Sequence, residues 1–325
     1  MCFSWQNGEV MTPEHVRHRV AEIARHGPSS PVVARDPVNL AMINNWVEAI
    51  GDTNAVYVDE AVARAAGHDG LVAPPAMLQV WTMRGLHAPH PPDDPLAQTM
   101  QLLDEAGYPA VVATNCEQTY HRYIRHGERL AMVTSLVDVV GPKRTALGEG
   151  WFMTTHHVWY SGDEPVGDMR FRMLKYAPAR ASTPPPAHDD RAAPCEATAL
   201  DAGASHLPVM TVEATPTFII ASALATRDFQ DVHHDRDRAR SYGARDIFVN
   251  ILTDTGLVQR FVTDWSGPST RLHGISLRLL APCYAYDMLV FTGTSSACGA
   301  ETTVSVTARG KRRTHLVATV RLSTR

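Results

Sequence analysis

The chain of 325 residues repeats itself, and that repeat constrains the possible folds more than any other feature. Sliding the sequence by 176 positions sets Asp52 on Asp228, Asp59 on Asp235, Ala63 and Arg64 on Ala239 and Arg240, and Gly67 on Gly243. One register holds without a gap through about 16 residues, which short chance similarities seldom do. The chain therefore holds two copies of one structural unit. At one position the copies differ in chemistry, since Tyr57 stands where the second copy has His233. A phenol that titrates at about pH 10 cannot replace an imidazole that exchanges protons near neutrality. One half is equipped for acid–base work and the other is not.

Length and composition fit this reading. A chain of 325 residues is long enough for about two domains. Its hydrophobic share of 44% and charged share of 20% are ordinary for a globular protein. The net charge of −4 gives no reason to expect a nucleic-acid partner. Cys2, Cys116, Cys195, Cys283 and Cys298 are scattered, odd in number and lack any C-x-x-C pair. This argues against a disulfide framework and a zinc site, and for a reducing compartment. The start, M-C-F-S-W-Q-N-G-E, has no basic stretch followed by an apolar one, and no run reaches the length of a membrane span. The expectation is a soluble, cytoplasmic protein.

Three segments divide the chain: residues 1–176, a Pro- and Ala-rich linker over 177–210, and residues 211–325. In the first copy the apolar spacing predicts a helix over 38–50, a short helix over 60–66 and another over 76–86, with a Pro-rich loop over 88–96. Four strands follow over 114–124, 130–140, 148–160 and 167–176, with turns at Gly141-Pro142-Lys143-Arg144 and Ser161-Gly162-Asp163-Glu164. In the second copy Thr217 to Ala225 reads as strand-like. A long buried helix over 246–263 and strands over 274–280, 288–295, 302–308 and 314–322 complete it.

The strongest candidate for chemistry is D-F-Q-D-V-H-H, Asp228 to His234. A carboxylate and an imidazole on one turn can grip a single water from two sides, and such acid–base help is worth about 10²–10⁴-fold. Which of Asp228 and His233 is the base stays open. Taken alone, Asp228 is more ordinarily a helix cap and His233 a surface residue; the repeat counts toward catalysis. His234 is the rival imidazole, disfavoured because Tyr57 answers His233. Basic clusters occur at Arg309 to Arg313 and at Lys143-Arg144, and both are more ordinarily solvated turns. No Gly-rich phosphate loop is present, and no cofactor is implied.

The Asp-turn-His element, a glycine ten residues on, an apolar helix and a strand meander resemble the MaoC-like enoyl-CoA hydratase family. Gly51-Asp52-Thr53-Asn54-Ala55-Val56 matches most of its motif, and Asp228 with His233 keeps the acid and the base. The resemblance implies an α+β double hotdog, two antiparallel sheets each wrapped around a long central helix and joined edge to edge. D-F-Q-D-V-H-H-D-R-D-R-A resembles the catalytic MaoC domain of steroid side-chain hydratases. G-D-T-N-A-V-Y-V-D-E and V-A-P-P-A-M-L-Q-V-W resemble their non-catalytic domain, so the chain reads as a fusion of the two.

By that resemblance Asp228 and His233 are catalytic, and the backbone N–H of Asn250 is the oxyanion donor. In the first copy Pro74 falls at that position and has no N–H. Arg312 and Arg313 are candidates to meet the CoA phosphates. The implied reaction is reversible hydration of a trans-2-enoyl-CoA carrying a bulky, steroid-type acyl group. Two alternatives are a dehydratase of R-3-hydroxyacyl chains, fatty or polyketide, and a non-catalytic acyl-CoA-binding partner. The implied associations are a homodimer and an aldolase or a zinc-ribbon/OB-fold protein of the same pathway.

Overall fold

The computed structural model describes residues 11–178 and 205–324, so most of the 177–210 linker lies outside the described residues. The first half runs α1 (Pro13–Arg25), β1 (Val32–Val33), α2 (Leu40–Ile50), α3 (Glu60–Ala65), α4 (Pro95–Glu105), β2 (Ala110–Tyr120), β3 (Leu130–Thr145), β4 (Gly148–Ser161) and β5 (Glu164–Pro178). The second runs β6 (Ser205–His206), β7 (Met210–Glu213), α5 (Pro216–Ala225), α6 (Arg236–Ser241), α7 (Ile251–Ser266), β8 (Thr270–Leu279), β9 (Met288–Cys298), β10 (Glu301–Arg309) and β11 (Thr314–Thr324). The strands form one antiparallel sheet in the order β1-β3-β4-β5-β2-β8-β11-β10-β9-β6, with β7 also on β9. Its halves mirror each other about the β2/β8 pair, where Asn115 faces Arg278 and Thr119 faces Gly274. The expected edge-to-edge joining is the β2/β8 ladder.

Helix α7 carries the core of the second half. Asn250 caps it, its Oδ1 accepting from the Thr253 N–H at 2.8 Å. Residues Ile251 to Gln259 are all buried, polar ones included. A helix buried on every side sits inside a core rather than on its surface. Gly256 lets α2 approach it closely, because a Cβ there would lie 2.8 Å from Cζ2 of Trp46.

Five sequence expectations are corrected. Thr217 to Ala225 is not a strand but helix α5: Thr215 caps it and Pro216 opens it, signals that decide where a short apolar run is ambiguous. The second apolar helix of the first half does not form. Pro75–Met77 and Val80–Thr82 are single 3₁₀ turns, and Gly85 takes φ 85° before the Pro89, Pro91 and Pro92 run. The strands form one continuous sheet rather than two, and the long central helix expected of the first half is replaced by these turns. Helices α4 and α1 were not anticipated. Helix α7 begins at Ile251 rather than Asp246, because Phe248 bridges to Tyr284 as extended chain. The turn expected at Gly141 to Arg144 is instead strand β3, which absorbs the pair Gly141-Pro142 in a register shift between Val140 and Lys143. At the two ends of the expected linker, β5 runs to Pro178 and β6 starts at Ser205.

Candidate active site

Helix α5 ends in a turn that aims Asp228 inward. The Asp228 N–H donates to the Ala223 carbonyl at 2.9 Å and the Arg227 N–H to that of Leu224 at 3.0 Å. This is the paired bonding of a left-handed helix end, and Arg227 supplies the left-handed residue with φ 57°. In the first half, α2 ends the same way: Asp52 N–H to Val47 at 2.9 Å, Gly51 N–H to Glu48 at 3.2 Å, and Gly51 at φ 71°. The left-handed conformation is easy for Gly51 and costs Arg227 about 1 kcal/mol. The Arg227 guanidinium reaches across to the first half, its Nε donating to the Met83 carbonyl at 3.2 Å.

Past Asp228 the chain makes a 3₁₀ turn over Asp231–His233, which brings the imidazole back over the carboxylate. Asp228, His233 and Asn250 come together and are buried. Asp228 Oδ1 accepts from the Gln230 N–H at 3.3 Å, and Oδ2 accepts from Asn250 Nδ2 at 3.0 Å. Asn250 Nδ2 also donates to Thr226 Oγ1 at 2.9 Å. One amide thus caps α7 through its oxygen and holds the carboxylate through its nitrogen. His233 Nδ1 lies 2.7 Å from the Phe248 carbonyl and its ring stands edge-on to Phe248. A carbonyl only accepts, so Nδ1 carries the proton and Nε2 offers its lone pair. Nε2 lies 3.5 Å from Asp228 Oδ2. Two acceptors at that spacing leave a point about 2.8 Å from each, where one water can give a hydrogen to both.

His234 does not share the site: it is exposed and faces Asp231 Oδ1 at 3.7 Å. Arg312 and Arg313 stand on the exposed β10–β11 turn rather than in the Asp228 cluster. The main-chain N–H of Asn250 lies at the start of α7, where the N–H groups of the first turn lack helical acceptors.

The first half keeps this scaffold with Tyr57 in place of the imidazole. Asp52 Oδ1 accepts from the Asn54 N–H at 3.0 Å, and Oδ2 accepts from Gln259 Nε2 at 3.2 Å. Gln259 is a residue of α7, and its Oε1 accepts the Ala76 N–H at 2.9 Å. The helix of the second half therefore fills the role that Asn250 plays in its own. Burial pushes Asp52 up to about 6, and it pushes the buried phenol of Tyr57 well above its ordinary range. Among the described residues no cluster of His, Cys, Asp and Glu could hold a metal ion.

The sequence pointed to Asp228 and His233 through the repeat and to Asn250 only as a backbone donor. It did not point to Thr226, the Phe248 carbonyl, the Asn250 side chain or Gln259. The Asn250 partner of Asp228 lies 22 residues away and the Phe248 partner of His233 15 residues away, and no local spacing marks them.

Residues 28–169 match the model of the FAS1-like, dehydratase domain region. Over 120 residues the chain is 57% identical to the 3-oxo-4,17-pregnadiene-20-carboxyl-CoA hydratase beta subunit of Mycobacterium tuberculosis, covering 37% of this chain and 93% of that protein. Over 164 residues it is 62% identical to the alpha subunit from the same organism, covering 50% of this chain. The chain spans about half the length of that alpha subunit, 53%. A solved MaoC-like dehydratase superposes with TM-score 0.71 at 19% identity, over 92% of this chain and 98% of its own. A Mycobacterium tuberculosis protein described as a double hotdog superposes with TM-score 0.58 at 15% identity, over 91% of this chain and 97% of its own.

Proposed function

Because the chain belongs to the MaoC-like hydratase and dehydratase family, we propose that it hydrates an α,β-unsaturated acyl-CoA thioester reversibly, at one site per chain. The observation that carries this reading is the convergence of Asp228 Oδ2 and His233 Nε2 at 3.5 Å beside the start of α7. A water between them donates one hydrogen to each. As its oxygen bonds to Cβ, one of the pair takes the proton, and a proton returns to Cα to complete the addition. His233 is placed for the first transfer, because Phe248 already holds the proton on Nδ1 and leaves Nε2 open. The charge that develops on the thioester oxygen is met by the Asn250 N–H at the α7 terminus, where the helix dipole adds to the hydrogen bond. Arg312 and Arg313 are the proposed partners of the CoA phosphates.

The proposed substrate is a bulky, steroid-type acyl-CoA, a reading supported by the names of two relatives, subunits of a 3-oxo-4,17-pregnadiene-20-carboxyl-CoA hydratase. The missing central helix of the first half supports it, since two short turns stand where a full helix would fill the interior. A solved relative is a complex of two subunits from Mycobacterium tuberculosis. In this chain one polypeptide supplies both halves, and the proposed assembly is a homodimer open to an aldolase or a zinc-ribbon/OB-fold protein. The dehydratase description of the matched model favours one second reading, elimination of water from R-3-hydroxyacyl chains of fatty or polyketide type at the same site.

The test is turnover of the steroid enoyl-CoA beside straight-chain enoyl-CoA. Asp228→Asn and His233→Ala are expected to lower kcat/KM by about 10²–10⁴-fold. Asn250→Ala, which leaves a buried carboxylate short of a donor, is expected to lower both turnover and stability, the latter by about 1–3 kcal/mol. Unchanged turnover in Asp228→Asn and His233→Ala refutes the reading. Higher kcat/KM on straight chains moves it to the second one.

A further inference from the structure

Between α7 and the sheet of the second half lies a buried charged pair that the proposed reaction does not use. Asp254 and His315 are 0% and 3% exposed, with His315 Nε2 2.8 Å from Asp254 Oδ1. His315 Nδ1 lies 2.5 Å from the Ala281 carbonyl. Both ring nitrogens face oxygens, and an imidazolium satisfies both. Burial opposes that charge, but Asp254 and the Ala281 carbonyl outweigh it and raise His315 above the ordinary histidine range.

A buried ion pair is poor stabilisation, because apolar replacement of both partners is often neutral or favourable by about 1–4 kcal/mol. The first half holds apolar residues at both positions. Leu78, 176 positions before Asp254, is buried, and its side chain lies over Gly167. Beside Gly167, the carbonyl of Val166 accepts from His121 at 3.0 Å, just as that of His315 accepts from Leu280 at 2.8 Å. Val166 is therefore the counterpart of His315, and it too is buried. The same fold holds Leu and Val in the half with Tyr57, and Asp and His in the half with His233.

The contacts of the pair reach both arms of the site. The Asp254 N–H donates to the Asn250 carbonyl at 3.1 Å, so its carboxylate rides one turn past the amide that holds Asp228. Ala281 opens the segment whose Cys283 carbonyl takes the Val249 N–H at 2.9 Å and whose Ala285 N–H donates to Ile247 at 3.0 Å. Those two bonds flank Phe248, whose carbonyl holds His233. We infer that Asp254 and His315 are positioning residues that lock the first turn of α7 to the 281–285 segment and so set Asp228 and His233 relative to each other. This rests on the hydratase reading of the same site.

The double variant Asp254→Leu/His315→Val, which copies the first half, tests it. It is expected to fold with a melting temperature at or above that of the parent chain. On 3-oxo-4,17-pregnadiene-20-carboxyl-CoA its kcat is expected to fall by about 10²-fold with KM within about twofold. Its His233 nitrogen NMR signals are expected to show a mixture of tautomers in place of one. Asp254→Asn, similar in shape, is expected to lose about tenfold in kcat. A double variant that fails to fold overturns the inference, since the fold would then need the pair. Parent-like kcat in either variant overturns it as well. The tautomer signal needs no turnover, so it reads positioning separately from failure of the hydratase reading, which Asp228→Asn and His233→Ala report.

Discussion

At the scale of residues, two aspartates in equivalent turns have different surroundings. Asp228 faces an imidazole at 3.5 Å, while Asp52 faces the amide of Gln259 and is buried beside Tyr57. Burial raises Asp52 from 3.8 to about 6, so the folded chain binds its proton more tightly than the unfolded chain does. Stability from this group is greatest at low pH and falls as pH rises through the window from 3.8 to about 6. The linkage amounts to roughly 3 kcal/mol at most. Asp52→Asn removes the titration at the cost of one mismatched hydrogen bond to Gln259. Its stability relative to the parent chain is therefore expected to climb between about pH 4 and pH 7, whatever its offset, and urea melts across that range measure the slope. A flat difference would mean that Asp52 is solvated. That Asp52 is the counterpart of Asp228 was legible from their shared register; that Gln259 reaches it from 207 residues away was not.

At the scale of elements, α7 does the work of two helices. Its start caps onto Asn250 and presents the site of its own half, and its middle passes against Trp46 and Ile50 of α2. Farther along, Gln259 closes the site of the other half and Arg260 Nη1 donates to the Ile50 carbonyl at 3.0 Å. The contact with α2 depends on Gly256, since a Cβ would meet Trp46 Cζ2 at 2.8 Å with that ring fully buried. Helix propensity favours alanine over glycine by about 1 kcal/mol, whereas overpacking costs about 1–3 kcal/mol. Gly256→Val, with a branched Cβ and no gain comparable to alanine, is expected to lose about 2–3 kcal/mol in urea unfolding. A neutral result would show that α2 can draw back. Apolar spacing revealed α7 as a long helix and overextended its start by a turn, because Ile247, Phe248 and Val249 are as apolar as the helix itself.

At the scale of the whole molecule, the halves are joined by the β2/β8 ladder and by α2 against α7. The described residues contain no helix long and apolar enough to cross a membrane. Because contacts rather than covalent continuity hold the halves, a chain broken after position 190 and co-expressed as two pieces is expected to co-purify and to keep the turnover of the intact chain. Size-exclusion chromatography with the enoyl-CoA assay measures both. Separation of the pieces would mean that the connection, not the sheet, keeps the halves in register.

Spacing along the chain is enough to show that there are two copies, that Tyr57 stands where the second has His233, and that Asp228 and His233 lie on one turn. These are local facts, carried by spacing along the chain. The tertiary structure decided what surrounds them. It put the proton of His233 on Nδ1 through Phe248, tied Asp228 to the cap of α7 through Asn250, and buried Asp254 against His315. It also decided that the first half has no long central helix, although Ala76 to Leu86 is apolar enough to suggest one. The reason is physical: hydrogen-bond partners and burial are set by chain segments far apart in sequence, which only packing brings within reach.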